Sequence, residues 1–396
     1  MEHAAAFDLI GLEHLRDTGG LKWSLFPETI GAFVAEMDFG TAPVVAEALH
    51  AAVDLGLLGY LPPAVAAAMA QASAEWHRSA YGWDLAAEQV HPVADVLKAL
   101  EVTLTHYSRP GSPVILPTPA YMPFLTVPPA MGREVIQVPL LLAEDGRYTL
   151  DLEGIAAAYR AGGDLLILCN PYNPVGRVFS RSELAAVSEV VAAHAGRVFA
   201  DEIHSPLVFP GHQHIPYASL SDVTAAHTVT ATSASKAWNL PGLKCAQVIL
   251  SNEADAQVWE QVGMMASHGT SILGTVANTA AFSAGGPWLA EVVRYLDGNR
   301  RALTALLAEH LPAVRYTAPE GTYIAWLDCR GLGLDGSPAD FFREHAGVAL
   351  TDGAACGAAG AGFVRLVFAT PRPILEQAVT AMGAAVARAP RQRLAG

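Results

Sequence analysis

Three polar side chains stand just past the ends of apolar runs: Lys236 in TATSASKAWNLPGLK, Asp201 in VFADEIH and Asn173 in NPYNPVG. Burying an ammonium is costly unless it is paired, deprotonated or covalently used. Asp201 likewise puts a carboxylate where an apolar residue is expected. Taken singly, the lysine reads as an exposed loop residue, the aspartate as a helix cap and the Asn-Pro pair as a turn. Taken together, an amine that can form a Schiff base and an acid that can keep a pyridine nitrogen protonated are the two groups that pyridoxal phosphate (PLP) chemistry requires. Asn173 could donate to the phenolate oxygen of the same ring.

Other chemistries lack their signatures. The chain has no His-Glu-x-x-His, no G-x-S-x-G elbow and no Walker loop. Its 14 histidines do not cluster at ligand spacing, GHQH at 211–214 reads as a polar loop, and no metal is expected. Lys plus Arg number 24 against 38 Asp plus Glu, and a net charge of -14 with no basic patch argues against nucleic acid or anionic membrane as partners. No apolar run approaches the roughly 18 to 20 residues of a membrane helix. The start, MEHAAAFDLIGLEHLRD, carries early acids and does not read as a secretory signal. Four scattered cysteines without Cys-x-x-Cys spacing complete the picture of a reduced, cytoplasmic protein.

The elements that must position the three side chains are short β-rich runs alternating with helical stretches from about residue 90 to 250. SPVILPT, DLLILCN, GRVFAD, HTVTATS and KCAQVIL are continuous rather than alternating apolar runs, which suggests strands buried on both faces. The expectation is an α/β fold with a mostly parallel sheet flanked by helices. Ser180 and Glu183 at capping-box spacing open one of these helices. After a long helical stretch from about 275 to 310, TYIAWLD and FVRLVFA predict strands of a smaller α+β domain. AVAAAMAQASA is read as a helix and GAACGAAGAG as a flexible loop. The expected division is an N-terminal segment, 1–44, packing on both domains, a large domain, 45–285, and a small C-terminal domain, 286–396.

NPYNPVGRVFSRSEL, VFADEIH, SASKAWNLPGL and GFVRLVFATPR, in this order, resemble the fold type I PLP enzymes, the aspartate aminotransferase superfamily. Within it, KWSLFPETIGAFVAEMDF, PTPAYMPF, DEIH, PEGTYIAWLD and FATPR resemble the cystathionine β-lyase and cysteine-S-conjugate β-lyase branch, from about Lys22 to Arg372. The resemblance implies that Lys236 forms the Schiff base and, once displaced by the substrate amine, moves the α-proton. It implies that Asp201 pairs with the ring nitrogen, Asn173 bonds the phenolic oxygen, Tyr121 stacks on the ring and His204 lies near that oxygen. For the phosphate it implies the backbone amides of Val96 and Leu97 at a helix N-terminus, with Ser233, Ser235 and Lys244. Tyr60 matches a tyrosine that reaches the phosphate of a neighbouring subunit, so a homodimer with shared sites is expected. Arg365 would hold the substrate α-carboxylate in a two-pronged contact, with the backbone of Ala35 close by. Two positions depart from the pattern: Asp95 puts a carboxylate beside the phosphate, and Lys244 stands where an arginine or a neutral residue is usual.

Loss of the α-proton leads either to transamination or to expulsion of a leaving group from Cβ, and composition does not separate the two. The branch resemblance favours a PLP-dependent carbon-sulfur β-lyase that cleaves cystathionine or related cysteine S-conjugates to thiol, pyruvate and ammonia. The alternative is an aminotransferase for a neutral or aromatic amino acid. A third reading, a regulator that has lost catalysis, is disfavoured because Lys236, Asp201, Asn173 and Arg365 are all present.

Overall fold

The computed structural model describes residues 6–389; residues 1–5 and 390–396, the outer ends of the first and last expected segments, lie outside the described residues. Each of the five apolar runs forms a strand: Val114–Thr118, Leu165–Cys169, Arg197–Asp201, Thr228–Thr232 and Ala246–Leu250. All but Arg197–Asp201 are buried at every residue, as strands covered on both faces must be. Two strands that the apolar runs did not signal, Val90–Val93 and Val135–Pro139, form the outer edges of the seven-stranded sheet. The order is Val90–Val93, Ala246–Leu250, Thr228–Thr232, Arg197–Asp201, Leu165–Cys169, Val114–Thr118, Val135–Pro139. Only Ala246–Leu250 runs antiparallel to its neighbours. The remaining strands therefore end along one edge of the sheet, and the crevice outside those carboxyl ends is where α/β sheets bind ligands.

The helices follow from local signals. Ser180 accepts from the Glu183 amide, and Glu183 answers the Ser180 amide, so the helix Arg181–Ala193 starts with the expected capping box. AVAAAMAQASA lies in the helix Pro63–Tyr81. The helical stretch from 275 to 310 is two helices, Ile272–Ala284 and Gly286–His310, divided at Gly285. A Cβ at Gly285 would stand 2.3 Å from the indole nitrogen of Trp238, which donates to the Gly285 carbonyl at 3.0 Å.

The expected strands TYIAWLD and FVRLVFA are Ile324–Asp328 and Phe363–Val367, the centre of a four-stranded antiparallel sheet edged by Arg315–Tyr316 and Thr351–Asp352. GAACGAAGAG is not a loose loop. It folds into two 3-10 turns, Gly353–Cys356 and Ala358–Gly360, in which Gly353, Cys356 and Gly360 are buried. The two glycines pass so closely that a Cβ on Gly360 would lie 2.0 Å from the Gly353 carbonyl oxygen, and the Cys356 carbonyl accepts from the Ala120 amide.

The segment 30–39 runs between the two sheets. Ile30 and Gly31 pair with Val348 and Ala349, the Val367 amide donates to Ala32, and the Asp38 amide donates to Ala369. On the other side Asn239 exchanges hydrogen bonds with both backbone groups of Met37. Beneath it, the buried Lys22 ammonium meets the Asp38 carboxylate at 2.7 Å, and Trp23 donates to the second oxygen at 2.8 Å. No helix among the described residues is long and apolar enough to cross a membrane. They hold no cluster of three or more His, Cys, Asp and Glu side chains that could bind a metal ion.

Candidate active site

At the carboxyl edge of the large sheet lies a cavity of about 160 Å³, bounded on one side by the strand ends and on the other by the segment around Ala35. Asp201, the last residue of its strand, points into it from register with Cys169 on the neighbouring strand. The Asp201 carboxylate accepts from the Ile203 amide at 3.2 Å and faces the Cys169 thiol at 3.8 Å. It has no cation in contact among the described residues. Burial therefore pushes its pKa up to about 7, partly offset by those two hydrogen bonds. His204 lines the same wall, buried, with Nδ1 lacking any partner among the described residues. Burial and then the charges of Lys236 and Arg365 hold its pKa down to about 3, so the ring stays neutral.

Lys236 enters from the turn after the strand Thr228–Thr232. Its ammonium donates to the Ala35 carbonyl at 3.0 Å, an oxygen that also accepts from the Tyr323 phenol at 2.9 Å. Burial, then the Arg365 charge, lower the Lys236 pKa to about 8, with Glu36 and Asp201 acting in the opposite sense. The amine and the carboxylate singled out in the sequence thus open onto one cavity.

Asn173 lines that cavity too, and its Oδ1 accepts from Arg365 at 3.2 Å. The contact orients the amide so that Nδ2 is its free donor. Arg365, in the middle of the strand Phe363–Val367, is buried behind Asn173 rather than on the cavity wall. Its other arm donates to the Phe33 carbonyl at 2.8 Å and to Thr351 at 3.2 Å, while Nε has no partner among the described residues. Tyr121 is half-buried on the cavity wall with its ring edge-on to Phe124.

The far end of the cavity is formed by Val96 and Leu97, in the first turn of the helix Val96–His106, together with Ser233, Ser235 and Lys244. First-turn amides lack intrahelical acceptors and are available to an anion. The Ser233 hydroxyl is already committed: it donates to the Cys245 carbonyl at 2.7 Å and accepts from the Ser235 amide at 3.0 Å. Asp95 stands in the same wall, so the carboxylate that departed from the family pattern does face this end. One of its oxygens caps the helix at the Lys98 amide, 2.8 Å away, and the other pairs with Lys244 at 2.8 Å. Tyr60 is not brought to this cavity. It is 89 % exposed and lines a separate surface hollow with Met264 and His268.

Several contributors escaped the sequence reading. Tyr323 was taken only as part of a strand, and no neighbouring residue type signals its position; in the structure it follows Thr322, whose φ of 64° is rare for a β-branched residue. Phe33 and Thr351, which grip Arg365, carry no signal of their own. GHQH is not merely a polar loop, since His214 is buried and meets the buried Glu202 carboxylate at 3.2 Å.

The family model described as aminotransferase class I and II matches residues 33–382. A cystathionine β-lyase of Corynebacterium glutamicum is 38% identical over 370 residues, 92% of this chain and 96% of its own length. Among solved structures, a candidate PLP-dependent β-cystathionase of Corynebacterium diphtheriae superposes with a TM-score of 0.91 at 38% identity, covering 96% of this chain and 99% of that one. Cystalysin of Treponema denticola, solved with pyridoxal 5'-phosphate, gives a TM-score of 0.88 at 27% identity, covering 96% of this chain and 97% of that one. With the match spanning both sheets and every strand end that lines the cavity, the chain belongs to the aminotransferase class I and II family, the fold type I PLP enzymes.

Proposed function

We propose that this protein is a PLP-dependent carbon-sulfur β-lyase that cleaves cystathionine or a related cysteine S-conjugate to thiol, pyruvate and ammonia. The observation that carries the reading is the sharing of one cavity by the Lys236 amine and the buried Asp201 carboxylate, which meets no cation among the described residues. An acid whose proton affinity is raised by burial fits a protonated pyridine nitrogen, which would supply the missing positive partner. The free Nδ2 of Asn173 fits a phenolic oxygen, and the anion-ready turn at Val96 and Leu97 fits a phosphate. The names of the relatives point the same way.

Bound PLP supplies an electron-accepting ring that lets the α-carbon of an attached amino acid give up its proton. Lys236 would be the covalent attachment point. Freed by an incoming amine, it would be held near the Ala35 carbonyl, and its lowered pKa would leave part of it neutral and able to take the α-proton. Asp201 would keep the ring nitrogen protonated and Asn173 would orient the phenolic oxygen. Tyr121 would cover a ring face, with the neutral His204 near the phenolic oxygen. Arg365, which lies behind Asn173, would turn its guanidinium from Asn173 and Phe33 into the cavity to hold the α-carboxylate beside the Ala35 backbone, and would so turn the Cα–H bond toward Lys236. Ser235 and Lys244 would complete the phosphate end, with Ser233 fixing the Ser235 backbone there. Cleavage of the Cβ–S bond would then leave its electron pair on sulfur. The thiolate would take up the proton held by Lys236, and the remaining three-carbon fragment would consume one water to give pyruvate and ammonia.

The exposure of Tyr60 supports a homodimer in which it reaches the phosphate of the neighbouring subunit. The chain's division at about residues 44 and 285, and its residence in the cytoplasm, are part of the same reading. Purified protein incubated with cystathionine and no 2-oxo acid should release pyruvate. Amino transfer that strictly needs an acceptor, with no pyruvate, would replace the lyase by an aminotransferase.

A further inference from the structure

At the phosphate end of the cavity, a carboxylate stands where an anion is to bind. Asp95 is fixed there by its role as helix cap: its backbone is extended, and one oxygen holds the Lys98 amide at 2.8 Å. The cap needs an acceptor oxygen but not a charge, so aspartate brings a negative charge that the helix does not require. The second oxygen holds the Lys244 ammonium at 2.8 Å. Lys244 in turn occupies a left-handed backbone conformation, φ 49° and ψ 63°, which glycine or asparagine would adopt at less cost. Its carbonyl is pinned by the Ser271 amide at 3.0 Å, which fixes where the side chain starts. Both side chains line the cavity. Lys98, on the same helix, is engaged with Glu101 at 3.2 Å and does not relieve Asp95.

Resting on the reading of this cavity as a PLP site, we infer that Asp95 and Lys244 act as one unit in phosphate binding. Asp95 is a positioning residue that seats the Lys244 ammonium at the lip of the cup, and Lys244 serves as much to cancel the Asp95 charge as to attract the phosphate. The pair is neutral, so the attraction for the phosphate comes mainly from the helix amides and the Ser235 hydroxyl. Lysine suffices at this position because a point charge that neutralises a carboxylate needs no bidentate geometry.

The unit has a signature in a double-mutant cycle on the apo-protein, read by the Kd for PLP and by the rise in melting temperature caused by inorganic phosphate. Lys244→Ala alone leaves Asp95 unscreened beside the phosphate and should weaken PLP binding about tenfold or more. Asp95→Asn alone keeps the cap and should stay within about threefold of the wild type. The double variant should recover to within about threefold of Asp95→Asn, and phosphate protection should follow the same ranking. Should the alanine variant fail to fold, Lys244→Gln with and without Asp95→Asn gives the same comparison. A double variant as weak as Lys244→Ala would overturn the pairing while leaving the PLP site intact. Wild-type apo-protein that takes up neither PLP nor inorganic phosphate would overturn the site and the pairing together.

Discussion

Lys236 and Tyr323 donate to a single acceptor, the carbonyl oxygen of Ala35, at 3.0 and 2.9 Å. The lysine can reach that oxygen only while its amine is free, whereas the phenol holds it throughout. Tyr323 therefore fixes the seat to which Lys236 returns, although it does not line the cavity itself. Tyr323→Phe removes one ordinary hydrogen bond, about 1 kcal/mol. Turnover should fall roughly fivefold with KM nearly unchanged, because the loss is felt when Lys236 is free. A rise in KM with kcat intact would place Tyr323 in substrate binding instead.

The lowered pKa of Lys236, about 8, sets the pH dependence of cofactor capture by the apo-protein. The neutral amine is the attacking form. It makes up about a tenth of the population one pH unit below the pKa, so the capture rate should climb close to tenfold from pH 6 to 7 and level off above about 8. Ionisation of Asp201 near pH 7 opposes this in part, because its charge raises the Lys236 pKa. Stopped-flow mixing of apo-protein with PLP checks this; a rate still climbing at pH 10 would mean that Lys236 titrates as an exposed lysine.

Arg365 spends its arms on Asn173, Phe33 and Thr351 and leaves Nε without a partner among the described residues. Arg365→Lys keeps a positive charge and loses the planar fork. Loss of a charged hydrogen bond, roughly 1.5 to 3 kcal/mol, should lower kcat/KM about 10- to 100-fold, with the Kd for PLP changed much less. Equal losses in both quantities would show that Arg365 supports the cofactor, acting through Asn173.

The segment that carries Phe33 and Ala35 depends on the buried Lys22–Asp38 pair. Lys22→Met leaves the Asp38 carboxylate buried with only Trp23 as a side-chain donor. Removing one partner of such a pair costs about 3 to 5 kcal/mol, and the denaturant midpoint should drop accordingly, with Lys22→Met/Asp38→Asn recovering part of the loss. An unchanged midpoint in Lys22→Met would mean that water reaches Asp38.

What the sequence made legible was the chemistry at strand ends. Central strands such as Leu165–Cys169 are buried on both faces and appear as unbroken apolar runs, so the polar residues that close them stand out. Val90–Val93 and Val135–Pro139 escaped because they are edge strands with mixed polarity, VHPV and VIQVP, which repeat no apolar pattern. Long-range contacts were equally silent. Nothing near Phe33 indicates that its carbonyl meets Arg365, 332 residues away. The glycines of GAACGAAGAG suggested freedom, yet they are there because two backbones pass within a distance no side chain would allow. Asp95 could be recognised as unusual but not understood, since its partner Lys244 lies 149 residues further on.

The proposal that Lys236 and Asp201 grip opposite ends of one ring has a direct chemical test. Protein reconstituted with PLP is reduced with borohydride and digested, and the peptides are mapped by mass. A pyridoxyl-phosphate adduct on Lys236, lost in Lys236→Ala, is the expected result. An adduct on another lysine, or none on a protein that nevertheless turns over, would contradict it.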